Sequence, residues 1–348
     1  MKKRTTTSRK RDHVELTVKK DVAFRIKTAG FDEWEFIHNA LPEIDLSEVD
    51  PTTEFLGRTL SLPLMISCMT GGYPEAEKIN RQLAEVCEQY HLAMGVGSQR
   101  QAMENTTYHR SFSVVRSSAP SIPVIGNIGA PEIARLKDVS PIVKLAELIG
   151  ADGFAVHLNP LQEFLQPEGN TNFRGVLAGI ELLVKMMPVP VIVKEIGAGI
   201  SPGVAERLVN VGVKYIDVAG AGGTSWAGVE ILRKKKDEQD AWDPFWDWGI
   251  RTTDALTGLQ PVIQKFPDVT VIASGGIGHG LDGAKAVALG ADITASARPL
   301  LRALMSGGKK DLQKKIEQWM MEFRGAMFLT GSSTLWQLKH SSALQQRR

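Results

Sequence analysis

The sequence predicts an α/β protein, namely a closed (β/α)8 TIM barrel with an N-terminal extension and a long loop after the sixth strand. Three observations support this fold class: eight short apolar runs, helical patterns between most of them, and small or polar residues directly after the runs. A chain of 348 residues suits one such barrel with extra segments. The eight runs are residues 64–69, 92–96, 124–128, 153–156, 191–196, 215–219, 269–274 and 292–296.

Helical patterns separate most of these runs, and in residues 74–90 the side chains of Ile79, Leu83, Val86 and Cys87 fall on one helical face. Apolar strands that alternate with helices are typical of a parallel sheet. An open, doubly wound sheet is the alternative, but it normally carries a Gly-x-Gly-x-x-Gly turn after its first strand. Here glycines follow several strands, and a closed barrel brings all strand ends to one face. The other helical patterns are residues 141–149, 175–187, 204–211, 253–266 and 281–289.

The chain divides into two parts. Residues 1–60 form an N-terminal extension without a regular period, apart from a short helix predicted over residues 31–40. Residues 61–348 form the barrel and its C-terminal helices. In the long loop, residues 220–251, the charged middle should be solvated. The aromatic second half should pack as a lid, as a subunit contact or as ordinary core. The aromatic residues of that half are Trp242, Phe245, Trp246 and Trp248.

Composition limits the function classes. Hydrophobic residues make up 43% of the chain, and the net charge is only +2, so no global field favours nucleic acid or a membrane surface. No apolar run is long enough to span a bilayer, and the basic residues 1–4 lead into further charge rather than a signal peptide. Two cysteines, Cys68 and Cys87, provide no disulfide framework. We therefore expect a cytoplasmic protein.

The most informative segment is His157-Leu-Asn-Pro-Leu-Gln-Glu163, which directly follows an apolar strand. An imidazole (His157), two amides (Asn159 and Gln162) and a carboxylate (Glu163) occur within seven positions. This set is unsuited to a core but can hold a polar ligand and a metal ion. The alternative is an ordinary polar loop that starts a helix.

Two further strand ends indicate a phosphate site. The seventh strand ends in Ser274-Gly-Gly-Ile-Gly278 and the eighth in Ser296-Ala-Arg-Pro299. In α/β barrels the loops after these two strands often bind phosphate through backbone N–H groups and a helix N-terminus, and glycines let the backbone approach the oxygens closely. The alternative is that these glycines only make tight turns.

Lys194 lies within an apolar strand, where an unpaired charge is costly. Since Glu195 points to the other face of the strand, we expect Lys194 to reach a ligand, with an ion pair to another strand as the alternative. Small, hydroxyl and amide residues at the other strand ends should form a flat, hydrogen-bonding floor. Such a floor suits a large planar ring with a phosphate tail, and flavin mononucleotide (FMN) is the natural candidate. The segments that form it are Met69-Thr-Gly-Gly72, Gly95-Val-Gly-Ser-Gln-Arg100, Gly126-Asn-Ile-Gly129 and Gly222-Gly-Thr-Ser225.

The basic segment Ser8-Arg-Lys-Arg-Asp-His13 allows three interpretations: a solvated tail, a nucleic-acid contact or part of the site. With this segment and the segments above, the chain resembles the type 2 isopentenyl diphosphate isomerase family from about residue 9 to about residue 337. The heptapeptide at 157–163 is the most specific motif, whereas the glycine-rich turns also occur in other flavin barrels. The remaining motifs are Asn127-Ile-Gly-Ala130, Val193-Lys-Glu195, Gly222-Gly-Thr-Ser-Trp226 and Trp248-Gly-Ile250.

The resemblance implies roles for residues at matching positions. Mg2+ is expected at Glu163, and His157, Asn159, Gln162, Lys194 and His13 are the expected catalytic residues. The expected FMN contacts are Met69, Thr70, Gly71, Ser98, Asn127, Lys194, Thr224, Gly275, Gly276, Ser296 and Ala297. The expected substrate contacts are Arg9, Lys10, Ser98, Gln99, Arg100 and Gln162.

The implied activity is interconversion of isopentenyl and dimethylallyl diphosphate by reduced FMN and Mg2+. The resemblance also implies that NADPH reduces the flavin and that the protein forms a tetramer or an octamer. The substrate is a small diphosphate; neither nucleic acid nor a membrane is an expected partner. An FMN-dependent 2-hydroxy acid oxidase or dehydrogenase is the alternative enzyme. It needs a His-Gly-x-Arg element after the sixth strand, where this chain has residues 219–225 with neither His nor Arg. A non-catalytic binding protein explains neither Lys194 nor the polar cluster at 157–163.

Overall fold

A computed structural model describes residues 6–347 of the chain. Residues 1–5 and residue 348 lie outside the described residues, and with them the predicted basic start of the chain. Residues 6–347 contain no helix that is both long enough and apolar enough to cross a membrane.

The N-terminal part contains a helix that the sequence pattern did not predict, α1 (Thr6–Lys19). The helix predicted over residues 31–40 is wrong: a 3-10 turn (Phe31–Glu33) leads into strand β1 (Trp34–Phe36). The reason is tertiary, since β1 pairs antiparallel with a strand near the end of the chain, Leu344–Gln346. After a second 3-10 turn (Leu46–Glu48), the hairpin strands β2 (Thr53–Phe55) and β3 (Arg58–Leu60) lead into the barrel.

The eight predicted strands form one closed parallel barrel, which confirms the predicted fold class. Each strand pairs with its neighbours in chain order, and the last strand closes the barrel against the first. The barrel strands are β4 (Leu64–Ile66), β5 (Ala93–Gly95), β6 (Val124–Gly129), β7 (Gly153–His157), β8 (Val191–Lys194), β9 (Tyr215–Asp217), β10 (Thr270–Ser274) and β11 (Ile293–Ser296).

Helices surround the barrel, and the six helices predicted from periodicity are present with ends shifted by one or two residues. The helices between the barrel strands are α2 (Ala76–Gln89), α3 (Arg100–Glu104), α4 (Arg110–Ser118), α5 (Ala130–Ile133), α6 (Ser140–Leu148), α7 (Pro160–Leu165), α8 (Val176–Met186), α9 (Pro202–Asn210), α10 (Trp226–Arg233), α11 (Thr252–Lys265) and α12 (Gly280–Ala288). The chain continues through α13 (Arg298–Thr330), which is kinked at Gly307 and Gly308, then α14 (Leu335–His340) and β12 (Leu344–Gln346).

Apolar side chains fill the inside of the barrel, as expected for this fold. Phe55 and Leu60 of the β2–β3 hairpin are buried in the same cluster, so the hairpin closes the amino-terminal end of the barrel. At that end Arg116 and Arg58 form ion pairs with Asp152. The opposite, carboxyl-terminal end therefore remains as the place where a ligand can enter. The strand residues in the interior cluster include Met65, Ala93, Ile125, Ala155, Ile192, Ile272 and Ile293.

Candidate active site

The carboxyl ends of the barrel strands enclose a large cavity. Its volume is about 360 Å3, which lies in the range of small-molecule sites. Every residue predicted for the site lines this cavity except Gln99. The predicted residues in the lining are Arg9, Lys10, His13, Met69, Thr70, Gly71, Ser98, Arg100, Asn127, His157, Asn159, Gln162, Glu163, Lys194, Thr224, Gly275, Gly276, Ser296 and Ala297.

Gln99 lies behind the cavity wall. Its side chain is fully buried, and its Nε2 donates to the backbone oxygen of Leu145 at 2.8 Å. Its Oε1 accepts from the backbone N–H of Asn127 at 3.1 Å. Because both ends of the amide are used within the barrel wall, the predicted substrate contact of Gln99 must be corrected: the side chain holds the backbone of β6 instead.

Lys194 extends from the end of β8 and lines the cavity, as predicted. The alternative, an ion pair with another strand, is also present, because Nζ of Lys194 lies 3.7 Å from Oδ2 of Asp217 on β9. Asp217 is fully buried, and its Oδ1 accepts a hydrogen bond from Oγ of Ser274 at 2.6 Å. Burial raises the pKa of Asp217, while Lys194 opposes that rise. The ion pair thus fixes the direction in which the Lys194 side chain faces the cavity.

His157 at the end of β7 is neutral. Its Nδ1 lies 2.9 Å from Oδ1 of Asn127. Burial, together with the cations Lys194, Arg9 and Lys10, lowers the pKa of His157 to about 3. Because an amide oxygen only accepts hydrogen bonds, Nδ1 carries the proton and Nε2 remains an acceptor. His157 can therefore orient a donor but does not supply positive charge near neutral pH.

The carboxylate of Glu163 on α7 lies among amides from the residues that flank this helix, one before its start and two after its end. Oε1 accepts from Nδ2 of Asn159 at 3.0 Å, and Oε2 accepts from Nε2 of Gln166 at 2.7 Å and from the N–H of Asn170 at 2.6 Å. Within residues 6–347, Oδ1 of Asn159 is buried without a hydrogen-bond partner. One carboxylate beside a vacant amide oxygen fits a Mg2+ ion that completes its shell with water and ligand oxygens. Among the described residues, no group of three or more His, Cys, Asp or Glu side chains is arranged to hold a metal ion.

The predicted phosphate site lies where β10 and β11 end. Gly275 and Gly276 have φ values of 96° and 72°, a conformation that glycine adopts readily. In the described part of the chain, no protein acceptor pairs with the N–H groups of Gly275, Gly276 and Ile277. Residues 296–299, which also line the cavity, lead into the N-terminus of α13. Free backbone donors and a helix N-terminus are the groups that bind a phosphate.

Helix α1 lies against the cavity, so residues 6–19 are not a solvated tail. Nζ of Lys10 donates to the backbone oxygen of Gly71 at 2.8 Å and to that of Ser98. Nε2 of His13 lies 2.9 Å from Oε1 of Glu230 on α10. These contacts hold the predicted cationic residues of the extension over the carboxyl end of the barrel.

Two carboxylates near the site were missed from the sequence. Glu132 lines the cavity, and its Oε1 lies 3.1 Å from Nη1 of Arg100. Glu230 is fully buried beside the cavity wall, where it accepts from Nε2 of Gln162 at 3.0 Å. A signal for Glu230 existed, because it follows Trp226 by one helical turn. Glu132 has no comparable signal, since only the closed barrel brings it next to Arg100.

The long loop after β9 contains α10 and two 3-10 helices, Lys236–Glu238 and Asp240–Phe245. Its aromatic half packs, as predicted: Trp246 is buried, and its Nε1 donates to the backbone oxygen of Ala23 at 2.8 Å. Trp248 stays 59% exposed. The loop therefore connects the barrel to the segment that follows α1.

Fold and cavity define a (β/α)8 barrel protein with a ligand cavity at the carboxyl ends of its strands. The family model for FMN-dependent dehydrogenases matches residues 2–115 and 160–345, so the chain belongs to that family. Within it, the chain is 50% identical over 346 residues to the isopentenyl-diphosphate delta-isomerase of Chlorobaculum parvum, covering 97% of this chain and 96% of the relative. The isopentenyl-diphosphate delta-isomerase of Nostoc sp. is 44% identical over 342 residues, with 98% and 96% covered. The chain therefore belongs to the isopentenyl-diphosphate delta-isomerase family, as the sequence motifs predicted.

Solved structures agree on the fold. The flavin-binding domain of baker's yeast flavocytochrome b2 has a TM-score of 0.71 at 18% identity, with 96% of this chain and 82% of that chain covered. The lactate oxidase of Pediococcus acidilactici has a TM-score of 0.68 at 19% identity, with 96% and 87% covered. At these identities the likeness concerns the barrel architecture alone.

The residues after the sixth strand disfavour hydroxy acid oxidation. Residues 219–225 contain no histidine or arginine. The His279-Gly280 pair in the next unit caps α12, where Nδ1 of His279 accepts from the N–H of Asp282 at 3.2 Å. The His279 side chain is 48% exposed and lies outside the cavity lining. The described site therefore has no histidine at the position after the sixth strand, where the His-Gly-x-Arg element of a hydroxy acid oxidase is expected.

Proposed function

We propose that the protein interconverts isopentenyl diphosphate and dimethylallyl diphosphate for isoprenoid biosynthesis, with reduced FMN and Mg2+. The observation that carries this proposal is the combination of groups in one cavity: the cations Arg9, Lys10 and Arg100, the carboxylate Glu163, and free backbone amides at the opposite strand ends. Cations and a carboxylate-bound Mg2+ suit a diphosphate. Relatives that share up to half of the sequence carry the same activity in their names.

The cavity fits FMN. Hydroxyl and amide side chains at several strand ends can bind a planar ring, and the amides of residues 275–277 with the start of α13 can bind its phosphate. When bound, reduced FMN supplies an electron-rich ring with a nitrogen that can give and accept a proton at the substrate carbons. Lys194, which lines the same cavity, would lie beside this ring and would balance its negative charge. The side chains that would contact FMN through polar groups are Thr70, Ser98, Asn127, Thr224 and Ser296.

The protein's own residues bind and enclose the substrate. Arg9, Lys10 and Arg100 would hold the diphosphate, and Glu163 would hold the Mg2+ ion, which would supply further positive charge for the diphosphate oxygens. Asn159, Gln162 and neutral His157 orient the substrate and the metal shell through hydrogen bonds. Residues 1–60 act as the closing segment, and His13 fixes α1 on Glu230. A closed, water-poor site also protects a carbocation-like reacting carbon.

Three finer features belong to the same proposal. We infer that NADPH reduces the flavin in the cell, that the protein is cytoplasmic, and that it works as a tetramer or octamer. Both cysteines, Cys68 and Cys87, are free thiols, which supports a reducing location. Each feature is open to direct measurement, by flavin reduction kinetics, by cell fractionation and by sedimentation.

The test of the function is the amount of reductant consumed per product. Protein loaded with FMN and Mg2+ is reduced once with dithionite under anaerobic conditions and then mixed with isopentenyl diphosphate. Because isomerisation involves no net redox change, we expect many molecules of dimethylallyl diphosphate per reduced flavin, and deuterium in the product in heavy water. The oxidised protein should be nearly inactive. One product per flavin, or turnover of a 2-hydroxy acid instead, would overturn the proposal in favour of the oxidoreductase.

Lys10 should make substrate capture dependent on pH. Burial and the neighbouring Arg9 lower the pKa of Lys10 to about 7, so its positive charge is present below pH 7 and lost above it. We expect kcat/KM for isopentenyl diphosphate to fall about 10-fold as pH rises from 6 to 8.5, the loss of one charge-assisted hydrogen bond. The Lys10→Arg variant stays charged over this range and should lack that part of the decline. Equal slopes for both proteins would refute the role of Lys10.

A further inference from the structure

A buried ion network links three segments around the cavity. Nη1 of Arg233 on α10 binds Oε2 of Glu230, and Nη2 binds Oε1 of Glu168 at 2.6 Å. Glu230 in turn contacts His13 on α1 and Gln162 on α7. The side chains of Arg233 and Glu230 are only 2% and 0% exposed, and neither residue lines the cavity.

Such a network contributes little to the free energy of folding. A buried ion pair gains little free energy over apolar residues of the same size, because both charges lose their hydration. Burial alone raises the pKa of Glu230, but His13 and Arg233 outweigh it and bring that pKa to about 2. The carboxylate is therefore held ionised at a fixed point between the segments.

Each end of the network reaches a group that the proposed reaction needs. Through Glu230 it holds His13, and with it the helix that carries Arg9 and Lys10. Through Glu168 it holds the loop of residues 166–170, in which Gln166 and Asn170 bind the carboxylate of Glu163. Arg233 is therefore the point that α1, α7 with its loop, and α10 have in common.

We propose that Arg233 is a positioning residue that sets both the closing helix α1 and the Glu163 loop for diphosphate binding. The proposal rests on the proposed isomerase function for its substrate. It assigns no contact between Arg233 and substrate or cofactor. It predicts that loss of Arg233 weakens binding of isopentenyl diphosphate more than it slows the chemical step.

The test uses the full-length FMN protein with Mg2+ and the variants Arg233→Met and Arg233→Lys. We expect Arg233→Met to raise KM for isopentenyl diphosphate about 10-fold or more, with a smaller change in kcat, and Arg233→Lys to restore part of the loss. Trypsin should cut the holoprotein faster at residues 9–11 in Arg233→Met, since α1 is less firmly held. The double variant Arg233→Met/Glu230→Gln removes both charges, so it should recover melting temperature while KM stays high.

Arg116→Met is the matched control, because Arg116 is a largely buried arginine paired with Asp152 at the opposite end of the barrel. It should lower the melting temperature without changing KM or the tryptic cut at residues 9–11. An unchanged KM in Arg233→Met, or a KM that recovers together with stability in the double variant, would overturn the positioning role. If the wild-type protein shows no isomerase activity, the proposed function fails, whereas the trypsin comparison still decides whether Arg233 holds α1.

Discussion

Replacement of Lys194 by methionine should lower the rate of isomerisation by about 10²–10³-fold, the usual effect of removing one preorganised electrostatic group from an active site. The side chain is buried at the cavity, and Nζ lies 3.7 Å from Oδ2 of Asp217. The variant loses the cation that we propose to face the flavin ring, and it leaves Asp217 buried without its cationic partner. Flavin reduction potential and FMN affinity, measured by anaerobic titration, should change together with the rate.

Two further variants separate this effect from instability. Lys194→Met/Asp217→Asn removes the stranded carboxylate as well, so it should regain melting temperature but not activity. Lys285→Met is the matched control, since Lys285 is a buried lysine outside the cavity that donates to the backbone oxygen of Phe31 at 2.8 Å. It should lose stability and keep the flavin potential. If the double variant turned over at the wild-type rate, the role of Lys194 at the flavin would be excluded.

Replacement of Glu163 by glutamine should raise the Mg2+ concentration for half-maximal rate by at least about 10-fold and lower turnover, while FMN stays bound. Glu163 provides a carboxylate, and the groups that surround it are neutral amides. An amide in place of this carboxylate binds Mg2+ poorly. The measurements are the rate as a function of Mg2+ concentration and the flavin absorbance of the purified variant.

Glu104→Gln provides the control for charge. Glu104 lies 3.6 Å from Nε of Arg100 on the same side of the barrel but does not line the cavity. The Glu104→Gln variant loses one negative charge near the cations that are proposed to bind the diphosphate, but the amides around Glu163 are unchanged. The dependence of its rate on Mg2+ concentration should therefore stay that of the wild type. A normal rate of Glu163→Gln at low Mg2+ would mean that the metal binds elsewhere.

Local patterns were sufficient to predict most of the architecture. The eight strands were predicted from short apolar runs, and six helices from their periodicity, because burial on both faces of a strand or on one face of a helix leaves a direct trace in the residue order. Residues directly after strands were likewise predictable as site residues, since a parallel barrel brings all carboxyl ends to one face. Thus His157, Glu163 and Lys194 were predicted from the residue order alone, and all three line the cavity.

Pairings between distant segments could not be predicted in this way. Residues 34–36 form a strand because Leu344–Gln346 lies beside them, which overrides the local helical pattern. Helix α1 has no strong apolar period, and its position depends on contacts of Lys10 and His13 with groups far along the chain.

The sequence by itself determined the barrel, the end of the barrel that carries the cavity, and many of the residues that line the cavity. These properties follow from the alternation of strands and helices. The tertiary structure alone decided how the side chains there are partnered. In the folded protein the Gln99 side chain points into the barrel wall, and Glu132 lies beside Arg100. Contacts between distant segments also join His13, Glu230 and Arg233 into one network. The physical reason is that hydrogen bonds and ion pairs need an approach of about 3 Å, and the residue order does not specify such distances between segments that meet only after the barrel has closed.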